Sequence, residues 1–149
     1  SPHSLMATLL EQQEKLDLAE THYLKALEID PTYIPAINNL AFLYAEQDKN
    51  LDKALELARQ ARDRVGKIPA VMDTLGWVYY RKGLYESAAA EFEACVQKEP
   101  NNPIFNYHLG LAYNKLGEYV KAESYLKNAI ALQTDFKGAE NAIKVLSQL

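Results

Sequence analysis

From Leu75 onward apolar residues recur at steps of three and four, the period of one helix face, without the alternation of a half-buried strand. Leu75, Gly76, Tyr79, Gly83, Tyr85, Ala88 and Cys95 each have a counterpart 34 positions later, at Leu109, Gly110, Tyr113, Gly117, Tyr119, Ala122 and Ala129. Upstream, Ala88, Phe92 and Cys95 map back by 34 to Ala54, Ala58 and Ala61, whereas Leu75, Gly76 and Tyr79 map back by 35 to Leu40, Ala41 and Tyr44. One residue is therefore inserted between Tyr44 and Leu51. Met6, Ala7 and Leu10, followed by Ala19, Tyr23 and Ala26, carry the frame to the N-terminus. A repeat of this length cannot bury its apolar face alone, so neighbouring units must stack.

Each unit predicts two helices. In the third they are 70–81 and 85–98, parted by Lys82-Gly83-Leu84, where glycine can take the positive φ that ends a helix. Lys98-Glu99-Pro100-Asn101-Asn102-Pro103 stops the second helix, and Pro103 suits the first turn of the next. "EIDPTYIP" at Glu28–Pro35 does the same one boundary earlier. Gly76 and Gly110 are expected to face Ala88 and Ala122, letting the paired helices approach closely. Phe136–Leu149 keeps a helical pattern through Phe136, Ala139, Ile143 and Leu146, which suits a closing cap. The expected organisation is all-α: units at 1–33 (the weakest match), 34–68, 69–102 and 103–136, and a capping helix at 137–149.

These residues resemble the tetratricopeptide repeat (TPR) family, whose unit carries Leu-Gly, Tyr, Gly, Tyr, Ala, Phe, Ala and Pro at these spacings. The third unit matches from Leu75 and Gly76 through Tyr79, Gly83, Tyr85, Ala88 and Phe92 to Pro100. The fourth departs at Leu126 for Phe and at Thr134 for Pro, and the second at Ala41, Ala58 and Gly66. The resemblance implies an α-solenoid, a right-handed superhelix of antiparallel helix pairs, whose first helices line a concave groove. "MDTLGWVYYRKG" with "NYHLGLAYNKLG" also resembles the closing repeats of long bacterial TPR proteins.

Carried over by spacing, the groove positions are Asn38, Asn39, Phe42 and Glu46 in the second unit. They are Asp73, Thr74, Trp77, Tyr80 and Arg81 in the third, and Tyr107, His108, Leu111, Asn114 and Lys115 in the fourth. Phe42, Trp77 and Leu111 are expected to form a row. Trp77 has two readings: packing between first helices, or, with Phe42, Tyr80 and Tyr107, a floor for a peptide, since Trp and Tyr dominate binding hot spots. Asn38 and Asn39 offer donors and acceptors to a peptide backbone, while Asp73 and Arg81 are expected to be free for ligand charges. The carboxylate clamp by which some TPR domains hold heat-shock chaperone tails is missing. Asn39 matches its middle Asn, but Ser4, Thr8, Ala70 and Thr74 stand where its other polar residues belong, and a one-unit shift fares no better. A chaperone tail is not an expected partner.

A net charge of −4 over 149 residues, with both signs interspersed, gives no basic field for nucleic acid. No apolar run is long enough to cross a bilayer, and the start at Ser1-Pro2-His3-Ser4 reads as a piece of something longer. Cys95, the single cysteine, falls on an apolar face and reads as buried filler. His3, His22 and His108 lie on different units without ligand spacing, no phosphate loop or nucleophile elbow occurs, and no cofactor is expected. The expected function is a non-catalytic scaffold that binds a protein or peptide in its groove. The alternative is self-association through the uncapped first unit, around Leu5, Leu9 and Leu10.

Overall fold

The computed structural model describes the backbone of residues 2–149 and the side chains from Gln12 onward. It contains α1 (Pro2–Ile29), α2 (Ile34–Glu46), α3 (Leu51–Val65), α4 (Pro69–Arg81), α5 (Tyr85–Lys98), α6 (Pro103–Lys115), α7 (Tyr119–Leu132) and α8 (Ala139–Gln148). Three pairs, α2/α3, α4/α5 and α6/α7, follow one another, each second helix also packing on the next unit's first. The inner helices α2, α4 and α6 lie side by side, and α8 closes the array against α7.

Helix ends fall where backbone chemistry demands. Pro69 and Pro103 open α4 and α6, and the Asn102 side chain accepts hydrogen bonds from the Ile104 and Phe105 backbone N–H groups at 3.0 and 3.2 Å. Gly83 and Gly117 turn the chain with φ of 80° and 78°. In the second unit the inserted turn has no glycine, and Asp48 and Asn50 take positive φ instead, as these residue types tolerate best. Asn106, fully buried, holds the boundary between units. Its Nδ2 donates to the Pro100 and Asn102 carbonyls, and its Oδ1 accepts from Asn128 Nδ2 at 2.9 Å.

The core repeats with the sequence. Ala54, Ala58 and Ala61, then Ala88, Phe92 and Cys95, then Ala122, Leu126 and Ala129 are all at 0% exposure. Gly76 makes its close approach mainly to Phe92, not to Ala88 as expected: a β-carbon there would lie 2.6 Å from the Phe92 ring. At Gly110 it would lie 2.7 Å from Leu126 and 3.3 Å from the Ala122 carbonyl, so there the alanine backbone shares the contact. The large side chain one turn beyond the alanine fills the space that glycine leaves.

Two expectations about elements change. The first unit was expected to fold as a helix pair, but its backbone runs as one helix from Pro2 to Ile29. The place of the turn glycine, Gly83 and Gly117 in later units, is held by Glu14, which carries a Cβ and stays helical. The side chains of Leu5, Met6, Leu9 and Leu10 lie outside the described residues. The cap, expected from 137, begins as a helix only at Ala139, because Gly138 has a φ of 99° and Lys137 belongs to the preceding turn.

Gly138 is also pressed on the Tyr107 ring, which any β-carbon there would strike. Gly138→Ala is therefore expected to lower stability by about 1–3 kcal/mol. Thermal melts check this, and an unchanged midpoint would contradict the packing of the cap turn on α6.

Candidate ligand groove

The inner helices enclose a groove of about 470 Å³. Asn38, Phe42 and Glu46 come from α2, Asp73, Thr74 and Trp77 from α4, and Tyr107 and His108 from α6, with Asn102 and Ile104 at one end. The turn before α8 forms a wall through Lys137 and Gly138. Lys137 Nζ lies 3.5 Å from Glu46 Oε2 and 5.6 Å from the centre of the Phe42 ring, so the cap reaches across the groove to the second unit. A larger and more open hollow, about 780 Å³, lies at the turns Glu99–Pro103 and 133–137. It contains no buried unpartnered polar atom, whereas the groove contains two.

Those two are Asn38 Oδ1 and Trp77 Nε1, both buried with no hydrogen-bond partner. Buried polar groups are ordinarily paired, and each unpaired one costs about 1–3 kcal/mol. Several other polar groups of the groove are satisfied internally. His108 Nδ1 and Asp73 Oδ1 are 2.7 Å apart, Thr74 Oγ1 donates to the Ala70 carbonyl at 3.0 Å, and Tyr107 Oη accepts from Asn141 Nδ2 at 2.7 Å. Trp77 is stacked between Tyr80, at 5.1 Å and 9° between planes, and His108, at 4.5 Å and 22°. Burial pushes the Tyr80 hydroxyl up to about 12, so it stays protonated at neutral pH.

Of the positions expected to line the groove, eight meet there: Asn38, Phe42, Glu46, Asp73, Thr74, Trp77, Tyr107 and His108. Asn39 instead faces an adjoining hollow of about 370 Å³ with Leu16, Tyr23, Leu43 and Gln47. Tyr80, Arg81, Leu111, Asn114 and Lys115 lie off the groove. Leu111 breaks the expected row because, at 4% exposure, it is part of the core.

Open exposure was also expected of Asp73, Thr74, Trp77, Tyr107 and His108, and all five are buried at 9% or less. Neighbouring inner helices approach closely enough for α4 and α6 side chains to stack and pair, and Phe136 leans on Tyr107 at 5.6 Å. Asp73 is thus occupied by His108, and Arg81 lies 3.9 Å from Asp48. Trp77 belongs to the packing between inner helices and still borders the groove along one side. Lys137 was not expected in the groove, and no local signal marks it, since its contact with Glu46 spans 91 residues. Cys95 is buried, its thiol 3.5 Å from the Pro69 carbonyl and pushed up by burial, the state of an inert core cysteine.

Among the described residues no helix is long and apolar enough to cross a membrane. Three family models, each described as a tetratricopeptide repeat, match residues 3–33, 22–56 and 74–135. The Protein STIP1 homolog of Dictyostelium discoideum is 31% identical over 96 residues, which are 60% of this chain and 17% of that protein. The chain thus spans about a sixth of that relative's length. The crystal structure of TTC0263, a thermophilic TPR protein of Thermus thermophilus, superposes with a TM-score of 0.79 at 25% identity, covering 96% of this chain and 78% of the other. MamA shares the fold, with a TM-score of 0.71 at 20% identity, covering 93% and 80%. Repeat register, stacked helix pairs and all three models agree: the chain belongs to the tetratricopeptide-repeat family.

Proposed function

We propose that this chain is a non-catalytic scaffold that holds an extended peptide or partner segment in the groove between α2, α4 and α6. Tetratricopeptide-repeat proteins generally mediate protein–protein interactions. The observation that carries the reading is the pair of buried, unpartnered atoms on the groove, one acceptor at Asn38 and one donor at Trp77. A peptide backbone presents both complements, an N–H and a C=O, with each non-proline residue. Apolar surface from Phe42, Ile104 and Phe105 surrounds them and suits a small aliphatic or aromatic side chain. The groups usable for catalysis support a non-catalytic role: the Thr74 hydroxyl and the Asp73–His108 pair are engaged, and Cys95 lies outside the groove.

Peptides selected from a random display library on the purified chain test this. Asn38→Ala is expected to weaken their binding several-fold, the about 0.5–1.5 kcal/mol of a net hydrogen bond. Ala70→Trp, at an exposed position on the rim, is expected to fill the groove and abolish binding while leaving the melting temperature unchanged. Selected peptides that bind both variants as tightly as the parent chain would place recognition elsewhere.

A further inference from the structure

The repeat supplies its own control. In the second, third and fourth units the three matching positions of the second helix, Ala88, Phe92 and Cys95 in the third, are each at 0% exposure. Their counterparts on α1, Ala19, Tyr23 and Ala26, are only partly buried. The next inner helix shows the same deficit. Asn39 is exposed, whereas its equivalents Thr74 and His108 are at 4% and 7%, each shielded by a preceding inner helix. Between these two surfaces lies the 370 Å³ hollow, and both amide atoms of Gln47, on its border, are buried without a hydrogen-bond partner. All of this marks the place of one missing helix, the first helix of the first unit.

The sequence names its occupant. Met6, Ala7 and Leu10 repeat Leu40, Ala41 and Tyr44, so the stretch before Glu14 carries the pattern of that helix. Because α1 continues through Glu14 without a turn, Ala7 lies about 18 Å along the axis from Ala19 and cannot fold back onto it. We propose that two copies of this chain exchange these segments, each docking its N-terminal stretch over Ala19, Tyr23 and Ala26 of the other. The helices of a unit are antiparallel, so the exchange lays two α1 helices antiparallel over their whole length. The counterpart of the Gly76–Phe92 contact is Ala7 on Tyr23, which puts the two-fold axis beside Lys15, midway between them. Such an interface is isologous and closed, so it produces a dimer and not a filament. The alternative read from the sequence was end-to-end stacking through the first unit; the exchange closes that association into a dimer, and it is independent of the groove.

Ala7→Cys with Tyr23→Cys, the pair that the register brings together, tests the exchange in a Cys95→Ala background, which Ala61 and Ala129 show to be compatible with that place in the repeat. Mild oxidation is expected to yield a covalent dimer on non-reducing gels. An intrachain cross-link, or none, would overturn the proposal. Ultracentrifugation of the unaltered chain is expected to show a monomer–dimer equilibrium. Glu14→Gly, which supplies the residue that turns the later units, is expected to weaken the dimer at least tenfold. A strict monomer from micromolar to millimolar concentration, or a dimer indifferent to Glu14→Gly, would also overturn it.

Discussion

Phe92→Ala is expected to lower the free energy of unfolding by about 3–5 kcal/mol, read from urea or thermal melts. Phe92 is at 0% exposure, its ring lies over the bare backbone of Gly76, and its centre is 5.2 Å from the His108 ring of the next unit. Truncation therefore opens a cavity bounded on one side by a glycine that has nothing to move into the gap. The same ring joins the pair α4/α5 to α6, so the loss falls on an interface between units as well as within one. In a stacked array, stability is approximately a sum of unit and nearest-neighbour terms, and a broken interface loosens cooperativity. The melt of the variant is therefore expected to broaden as well as shift. A loss under about 1 kcal/mol would mean that the site collapses without a void, and the close packing described for Gly76 would be wrong.

The helix ends were legible because they depend on local chemistry. Pro69, Pro103, Gly83 and Gly117 act through their own backbones, and the boundaries of α4 and α5 follow them to within a residue. The first unit matches the repeat over residues 3–33, but its helix pair was misread because the turn was inferred from side-chain pattern alone. Ala19, Tyr23 and Ala26 match well, but a turn needs a residue that accepts positive φ, and Glu14 is not one. The absence of glycine at that place was visible in the sequence and outweighs three matching apolar positions. The second unit shows the other outcome: with no glycine available, Asp48 and Asn50 still allow the turn.

The groove was legible in position more than in character. Spacing from the Leu-Gly pairs named Asn38, Phe42, Glu46, Asp73, Thr74, Trp77, Tyr107 and His108, which lie together along the groove. Spacing gives direction around a helix but not the distance to the next helix, and that distance decided burial. It turned Asp73 from a free charge into the partner of His108, 35 residues away, and made Trp77 the middle of a three-ring stack. Lys137 had no local signal at all, because its contact with Glu46 spans 91 residues.

Trp77→Ala is expected to cost about 3–5 kcal/mol in stability, since the indole is at 9% exposure and fills the space between Tyr80 and His108. So large a loss would weaken any ligand by loosening the groove, and Trp77→Ala alone cannot separate packing from recognition. Trp77→Phe can. It keeps an aromatic face for both neighbours and removes Nε1, the one polar atom of the side chain, which has no partner within the protein. Its stability loss is expected to be clearly smaller than that of the alanine variant, because the ring packing is largely kept and removing a buried donor that makes no bond in the free chain relieves its desolvation cost. Peptide affinity is expected to fall several-fold, because in the complex that donor meets a backbone carbonyl worth about 0.5–1.5 kcal/mol net. Calorimetric titration with a groove-binding peptide reads the affinity, and thermal melts of the same samples read the stability. If affinity is unchanged in Trp77→Phe while Asn38→Ala still weakens binding, the indole serves packing alone and the acceptor on α2 carries the backbone contact without it.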